Sequence, residues 1–328
     1  MDGIIIVNKE AGYTSHDVVA KLRGILHQKK IGHTGTLDPD ATGVLPICIG
    51  RATKVCDVLT DRDKTYLAEV VLGITTDTLD ISGNILSRSD VHVKKDDLLA
   101  VLSHFEGEIT QIPPMYSAVK VNGKKLYEYA REGQSVERKP RYVTIYELEP
   151  VEEKLFPYDQ KKSGSDDGIL NGSDSSTLVE KLPSFKIRVK CSKGTYIRTL
   201  CDDIGRELGC GAVMKSLVRM AAGRFEINNA LTISEIEESL KRFDVENEES
   251  LPDFLIPLDS VFDEYHSLTV PSDQMKLLEN GNPIFIRPVP EGISFGDTVR
   301  VYGANGEFYA LYRLDERKKR FVVVKYFH

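Results

Sequence analysis

The stretch Gly32-His33-Thr34-Gly35-Thr36-Leu37-Asp38-Pro39-Asp40-Ala41-Thr42-Gly43 sets the strongest limit on what this chain can fold into. Three glycines and a proline within twelve residues exclude a regular helix or a central strand. An ordered loop remains, carrying a histidine, two carboxylates and three threonines. Apolar runs flank it, Ile4-Ile5-Ile6-Val7 upstream and Val44-Leu45-Pro46-Ile47-Cys48-Ile49 downstream, so buried strands can hold it rigid. Residue types alone leave two readings of equal weight. Either Asp38 caps backbone amides in a tight turn whose exit Pro39 fixes, or the loop is an active site on a scaffold.

A length of 328 residues suggests two domains, and a hydrophobic fraction of 41% is enough for a sizeable core. No apolar run approaches the ~18 residues of a membrane span, and no secretory leader is expected at the N-terminus. The five cysteines, Cys48, Cys56, Cys191, Cys201 and Cys210, form no C-x-x-C pair. Their odd number fits reduced thiols, and hence a cytoplasmic protein. Cys201 and Cys210 lack partners at zinc-finger spacing and read as core thiols, so no metal site is expected.

The net charge of -7 argues mildly against a nucleic-acid partner, but the distribution of charge argues for one. Cations crowd 120–141, 186–224 and 313–325, while acid concentrates in 152–180 and 235–264. A surface segregated in this way can grip phosphates locally.

Hydrophobic periodicity predicts a strand over 3–8 and a helix from Thr14 to about Gln28, with Thr14 and Asp17 as a capping pair. A short helix is expected at 52–59, a strand at 65–73, a polar turn at 76–83 and an amphipathic helix at 94–105. Ile112-Pro113-Pro114 breaks the structure. Beyond it, tyrosines alternate with lysines through 115–131, a composition that stacks bases and neutralises phosphates, around an Asn122-Gly123 hairpin turn. Strands are expected at 142–148 and 184–191, and helices at 194–208 and 233–243. Residues 157–180, rich in Ser, Gly and Asp, read as a disordered insertion. An acidic, proline-bearing linker at 246–257 leads to a small β-rich module with a helix at 271–278 and strands at 298–302, 307–314 and 321–327.

Three features bear on chemistry: Asp38 in a rigid loop, Tyr66 opening a strand, and Arg198 starting a helix behind Gly194-Thr195-Tyr196. A carboxylate that attacks carbon must stay ionised, and a bidentate arginine holds and orients it. A tyrosine ring stacks on a base, and its phenol can exchange a proton once its pKa is matched to the task.

The loop Gly32–Pro39 with Ala41-Thr42-Gly43 resembles the signature of the TruB family of tRNA pseudouridine synthases. The similarity continues through Asp63-Lys64-Thr65-Tyr66, Thr76-Asp77-Thr78-Leu79-Asp80 and Ile112-Pro113-Pro114-Met115-Tyr116-Ser117-Ala118. It extends over Gly123–Arg131 and Cys191–Leu200, all in the family's order. The C-terminal module resembles a PUA-like RNA-binding domain.

The resemblance implies an α+β fold with a mixed, largely antiparallel central sheet and flanking helices. The implied division is a catalytic domain at 1–245 with an RNA-clamping insertion at 115–141, a linker at 246–257, and the PUA-like domain at 258–328. The implied reaction converts a uridine in the T loop of tRNA, position 55 by convention, to pseudouridine without metal or cofactor. It gives Asp38 as nucleophile, Tyr66 against the flipped base, and Arg198 as the partner of Asp38. His33 would fill the space that the base vacates, Tyr196 and Leu217 would line the pocket, and Lys64 would assist near the base. Lys120, Lys124, Lys125, Tyr127 and Arg131 would clamp the RNA. The expected partner is tRNA, with no membrane and no obligatory protein partner, and the chain is expected to act as a monomer.

Asp40 stands where the family commonly has leucine, so two carboxylates flank Pro39, which would tend to raise one pKa. Two other classes stay in view. One is a non-catalytic RNA-binding protein; the other is a metal-dependent hydrolase built on Asp38, Asp77 and Asp80. An NTPase phosphate loop is poorly supported, because no Gly-Lys-Ser/Thr follows the glycines.

Overall fold

β-Branched and apolar residues at both pleat positions of 4–7 and 44–49 need cover on both faces, and this requirement organises the first half of the molecule. A computed structural model describes residues 1–151, 179–243 and 252–328. The expected disordered insertion, up to residue 178, and the first part of the expected linker lie outside the described residues.

In chain order, β1 (Gly3–Lys9) and α1 (Ser15–Ile25) precede β2 (Ile31–His33) and β3 (Thr42–Ile49). Next come α2 (Cys56–Thr60), β4 (Lys64–Leu72), the hairpin β5 (Ile74–Thr76) and β6 (Ile85–Arg88), α3 (Lys95–His104) and β7 (Gly107–Gln111). A small hairpin, β8 (Lys120–Val121) and β9 (Lys124–Lys125), leads into α4 (Leu126–Arg131). The chain continues with β10 (Arg141–Val151), β11 (Ser184–Cys191), α5 (Ile197–Glu207), β12 (Ala212–Ala222), β13 (Phe225–Glu226) and α6 (Ile233–Arg242). The last segment holds β14 (Ser267–Thr269), α7 (Met275–Glu279), β15 (Thr298–Tyr302), β16 (Phe308–Asp315) and β17 (Arg320–Tyr326).

The central sheet runs β1-β3-β12-β4-β11-β10-β7, with β2 added on β3 and β13 on β12. Every pairing is antiparallel except β3 with β12, which is parallel and spans only Thr42–Val218 and Gly43–Arg219. This is the mixed, largely antiparallel sheet expected from the sequence.

One face of β4, β11, β10 and β12 packs Ala68, Val70, Phe185, Ile187, Val189 and Ile145 against α3 and α5 through Leu98, Leu102, Leu200 and Ile204. β1 and β3 are covered on one side by α1 and α6. On the other side they meet Ala52, Val55 and Leu59 together with Phe262, Leu311 and Phe327 of the C-terminal module. α1 starts where its capping pair predicts: Thr14 is the N-cap and exchanges hydrogen bonds with Asp17. The Asn122-Gly123 turn has φ of 51° and 83°, the doubly left-handed geometry of a two-residue hairpin.

Two details differ from the sequence-based expectation. Within 252–257, read as linker, Phe254 and Leu255 are buried against α1 and α6, and Ile4 and Ile256 exchange backbone hydrogen bonds of 2.8 Å. The acidic, proline-bearing composition masked a short apolar run there. The C-terminal sheet has four strands, β14-β15-β16-β17, rather than three. β14 is three residues long and pairs parallel with β15, too short a pattern for periodicity to register.

Gly43 is the tightest point of the sheet. Its φ is +101°, and a Cβ there would lie 2.3 Å from the Arg219 carbonyl oxygen. The residue therefore needs both a left-handed backbone and an empty side-chain position. Gly43→Ala is expected to destabilise the protein by about 2 kcal/mol or more, read as a drop in the denaturant midpoint at unchanged m-value.

Candidate active site

The loop between β2 and β3 is pinned from four directions. Thr34 is buried, and its amide donates to Pro46 O at 3.1 Å. The Leu37 amide donates to Ser15 Oγ (3.0 Å) at the start of α1. Lys9, fully buried at the end of β1, donates from Nζ to Pro39 O (2.8 Å), and the Gly12 amide donates to the same oxygen (3.0 Å). Leu37 and Ala41 enter the core beside α5. With both neighbours anchored, Asp38 is left facing a cavity of about 530 Å³. That volume suits a base-sized ligand with its attached groups.

Arg198, one residue into α5, reaches Asp38 from across the cavity. Its Nε lies 3.0 Å from Asp38 Oδ2 and its Nη2 3.3 Å from Oδ1, the fork-on-carboxylate geometry. The same guanidinium donates to Thr78 O (3.2 Å) and Tyr116 O (2.8 Å) and stands 3.6 Å from Asp80 Oδ2. Burial raises the Asp38 carboxyl above the usual carboxylate range; Arg198 opposes that shift, and Asp80 and Asp40 reinforce it. The arginine therefore aims the carboxylate and favours its charged form.

Tyr66, on β4, is a cavity wall and is almost fully buried. Burial pushes its phenol above the ordinary tyrosine value, while the neighbouring Arg219 guanidinium pulls it down. Arg219 sits on β12 directly across from Tyr66. It is 1% exposed and donates to Val44 O (2.6 Å) and Gly35 O (3.4 Å), with no carboxylate partner among the described residues. Lys64, two residues before Tyr66, also lines the cavity, and burial brings its ammonium down to about 8. Its Nζ is committed to Thr60 O (2.6 Å) and Arg62 O (2.5 Å).

Tyr196 and Leu217 both line the cavity. Tyr196 is fixed through its backbone, because buried Gln111 accepts from its amide (3.0 Å) and donates to its carbonyl (3.2 Å). Leu217 and Arg219 share one face of β12 between two β-bulges, which re-aim that short segment toward the site. His33 is not a lining residue. It sits behind the loop at 5.3 Å from the His16 ring in edge-to-face contact, and burial lowers its pKa.

The segment read as a clamp meets the cavity only at its base, through Tyr116, Ser117 and Ala118. Farther out, Lys125 and Arg131 both lie over the Tyr127 ring, at 5.3 and 5.4 Å, and Lys124 lies over Tyr129 at 4.6 Å while pairing with Glu132. Lys120 lies in the β8–β9 hairpin, outside the cavity.

The structure thus brings Asp38, Tyr66, Arg198, Lys64, Tyr196 and Leu217 to one cavity and leaves His33 and the outer clamp residues outside its wall. Sequence reasoning gave no role to Arg219, Gln111, Lys9 or Ser15. Arg219 carried a usable signal, a cation two residues from Leu217 on one face of an apolar strand. Asp77 and Asp80, the other carboxylates of the hydrolase alternative, are occupied in their own turn. Asp77 accepts from the Asn84 amide and side chain, and Asp80 accepts from Thr78 and Ser82.

These electrostatics give a direct test. In carboxyl-carbon NMR, Asp38 should titrate above the ~3.9 of an ordinary aspartate. Arg198→Met should move the midpoint further up, and Asp40→Asn should move it back down.

Comparison with known proteins agrees with this geometry. Residues 23–161 match the family model described as the N-terminal domain of TruB family pseudouridylate synthase, and 198–263 match the tRNA pseudouridylate synthase B C-terminal domain. The chain is 46% identical over 332 residues to tRNA pseudouridine synthase B of Lachnoclostridium phytofermentans, covering all of both sequences. It is 38% identical over 327 residues to the enzyme of the same name from Pediococcus pentosaceus, covering 99% of this chain and 98% of that one. Among solved structures, a chain from a Cbf5-Nop10-Gar1 complex superposes with a TM-score of 0.66 at 25% identity, covering 99% of this chain and 85% of the other. With the Asp38 loop, the cavity and the sheet order in place, the chain belongs to the TruB family of pseudouridylate synthases.

Proposed function

We propose that this protein isomerises a uridine in the T loop of tRNA, position 55 by convention, to pseudouridine, with Asp38 as nucleophile. The observation that carries the reading is the two-pronged Arg198–Asp38 pair at the wall of a cavity whose other side is Tyr66. The target base leaves its stack, at a cost of a few kcal/mol, and enters the cavity. Asp38 acts at the sugar–base junction, so the bond from C1′ to N1 breaks. The base turns and is rejoined through C5, which gives up its proton while N1 gains one. Atoms and charge balance within the substrate, so the reading calls for no cofactor.

Tyr66 and Leu217 hold the base between them. Burial keeps the Tyr66 phenol protonated at rest, and the Arg219 guanidinium across from it would stabilise any phenolate that forms. This supports Tyr66 as the group exchanging a proton with the base. Lys64, held by two carbonyls, supplies positive potential at the cavity end. The cation–tyrosine pairs of 120–131 form the clamp, opening toward the phosphates of the stem-loop. The module at 258–328 serves as a PUA-like second RNA contact beside the catalytic part at 1–245. The chain acts as a single copy without a protein partner. No helix among the described residues is long and apolar enough to cross a membrane.

With a T-stem-loop RNA tritiated at uracil C5, the wild type should release tritium. Asp38→Asn should abolish release while retaining RNA affinity, and Asp40→Asn should stay active; the reverse pattern would move the nucleophile to Asp40. Loss of binding rather than turnover in Asp38→Asn would favour a non-catalytic RNA-binding protein, and sensitivity to chelator would favour a metal hydrolase. Amide exchange across 117–131 should slow when the RNA is added.

A further inference from the structure

We propose that Tyr142 is a stacking platform for an unpaired base of the RNA next to the one that enters the cavity. This rests on the functional reading above and adds a residue to which that reading gives no role.

Tyr142 is 77% exposed, more than any other large hydrophobic side chain among the described residues. It is the second residue of β10, and it stands at the cavity mouth with Arg141 and Val143. Val143 is buried, so the alternating pleat turns the Tyr142 ring outward. Its cross-strand neighbour on β7 is Thr110, which is itself exposed and too small to cover an aromatic ring. Tyr146 lies on the same side two pleats along, but it is less exposed at 47%.

Charge around the ring points to the occupant. Lys139 and Arg141 are exposed and form no ion pair among the described residues, whereas Lys193 across the mouth is neutralised by Asp61 at 2.9 Å. Arg138 donates to Pro113 O (3.1 Å), which ties this stretch to the base of the clamp. Unpaired cations one and three residues from a bare aromatic ring along the chain suit a nucleotide, with the base on the ring and its phosphate on a neighbouring cation. A flipped uridine also leaves its loop neighbours without their stacking partner, and the ring at the cavity lip replaces that partner.

The test uses the full chain and the T-stem-loop RNA. Tyr142→Ala should raise the RNA Kd and KM about 5-fold or more, while kcat stays within about twofold and Tyr142→Phe and Tyr142→Trp stay near wild type. An abasic nucleotide at one position flanking the target should weaken wild-type binding by the same factor and leave Tyr142→Ala binding unaffected. Near-wild-type binding by Tyr142→Ala would overturn the proposal. So would abasic losses of equal size in both proteins at every position, or a change in oligomeric state caused by the substitution. Failure of the wild type to convert the uridine would sink the functional reading instead, and the binding arm would still decide the role of Tyr142.

Discussion

Arg198 holds the site together. A single guanidinium, 8% exposed, ties the β2–β3 loop at Asp38, the turn after β5 at Thr78 and Asp80, and the segment after Pro114 at Tyr116. These partners are separated from it by as many as 160 residues. A buried arginine is tolerated only when its donors are used, and here two carboxylates and two carbonyls use them. The same satisfaction that permits burial also fixes the carboxylate's direction, so structural need and chemical need coincide in one side chain.

The opposite wall works by imbalance. Arg219 and Lys64 are buried cations whose donors are filled by carbonyls rather than carboxylates, so their charge remains available to the cavity. Across from them, burial lifts the Asp38 carboxyl above the usual carboxylate range, Arg198 opposes that shift, and Asp80 and Asp40 add to it. The cavity thus has a negative side and a positive side with a nearly buried tyrosine at the positive one. Such preorganisation favours charge movement through a bound base without rearrangement of the walls.

Much of this was legible in the residues. Glycine and proline spacing excluded regular structure between β2 and β3, and periodicity placed α1, β4, α3, β11 and α6 within a few residues. The site was legible in pieces, because Asp38, Tyr66 and Arg198 each looked ordinary alone, and only the similarity of ordered motifs joined them. Arg219 stayed hidden because burial of a charge depends on carbonyls supplied by distant strands, which no local pattern encodes. His33, adjacent to the loop in sequence, turns away from the cavity because β2 pairs with β3 and points it toward α1. The clamp tyrosines were visible, but their occupation by neighbouring cations was not, since ring-over-ammonium contacts follow from the hairpin's fold.

The parallel join of β3 and β12 has a mechanical side. In the backbone ladder, two residue pairs join the sheet's N-terminal strands to the rest among the described residues, and one of them is Gly43 against Arg219. The loop that carries Asp38 leaves from one side of that seam, and the cationic wall belongs to the other. A sheet tends to open where its ladder is shortest, so opening there would part Asp38 from Tyr66 and Arg219 before either half melts. Under mild heat or denaturant, competence would be lost ahead of secondary structure, and a ligand bridging the seam would act as a rivet.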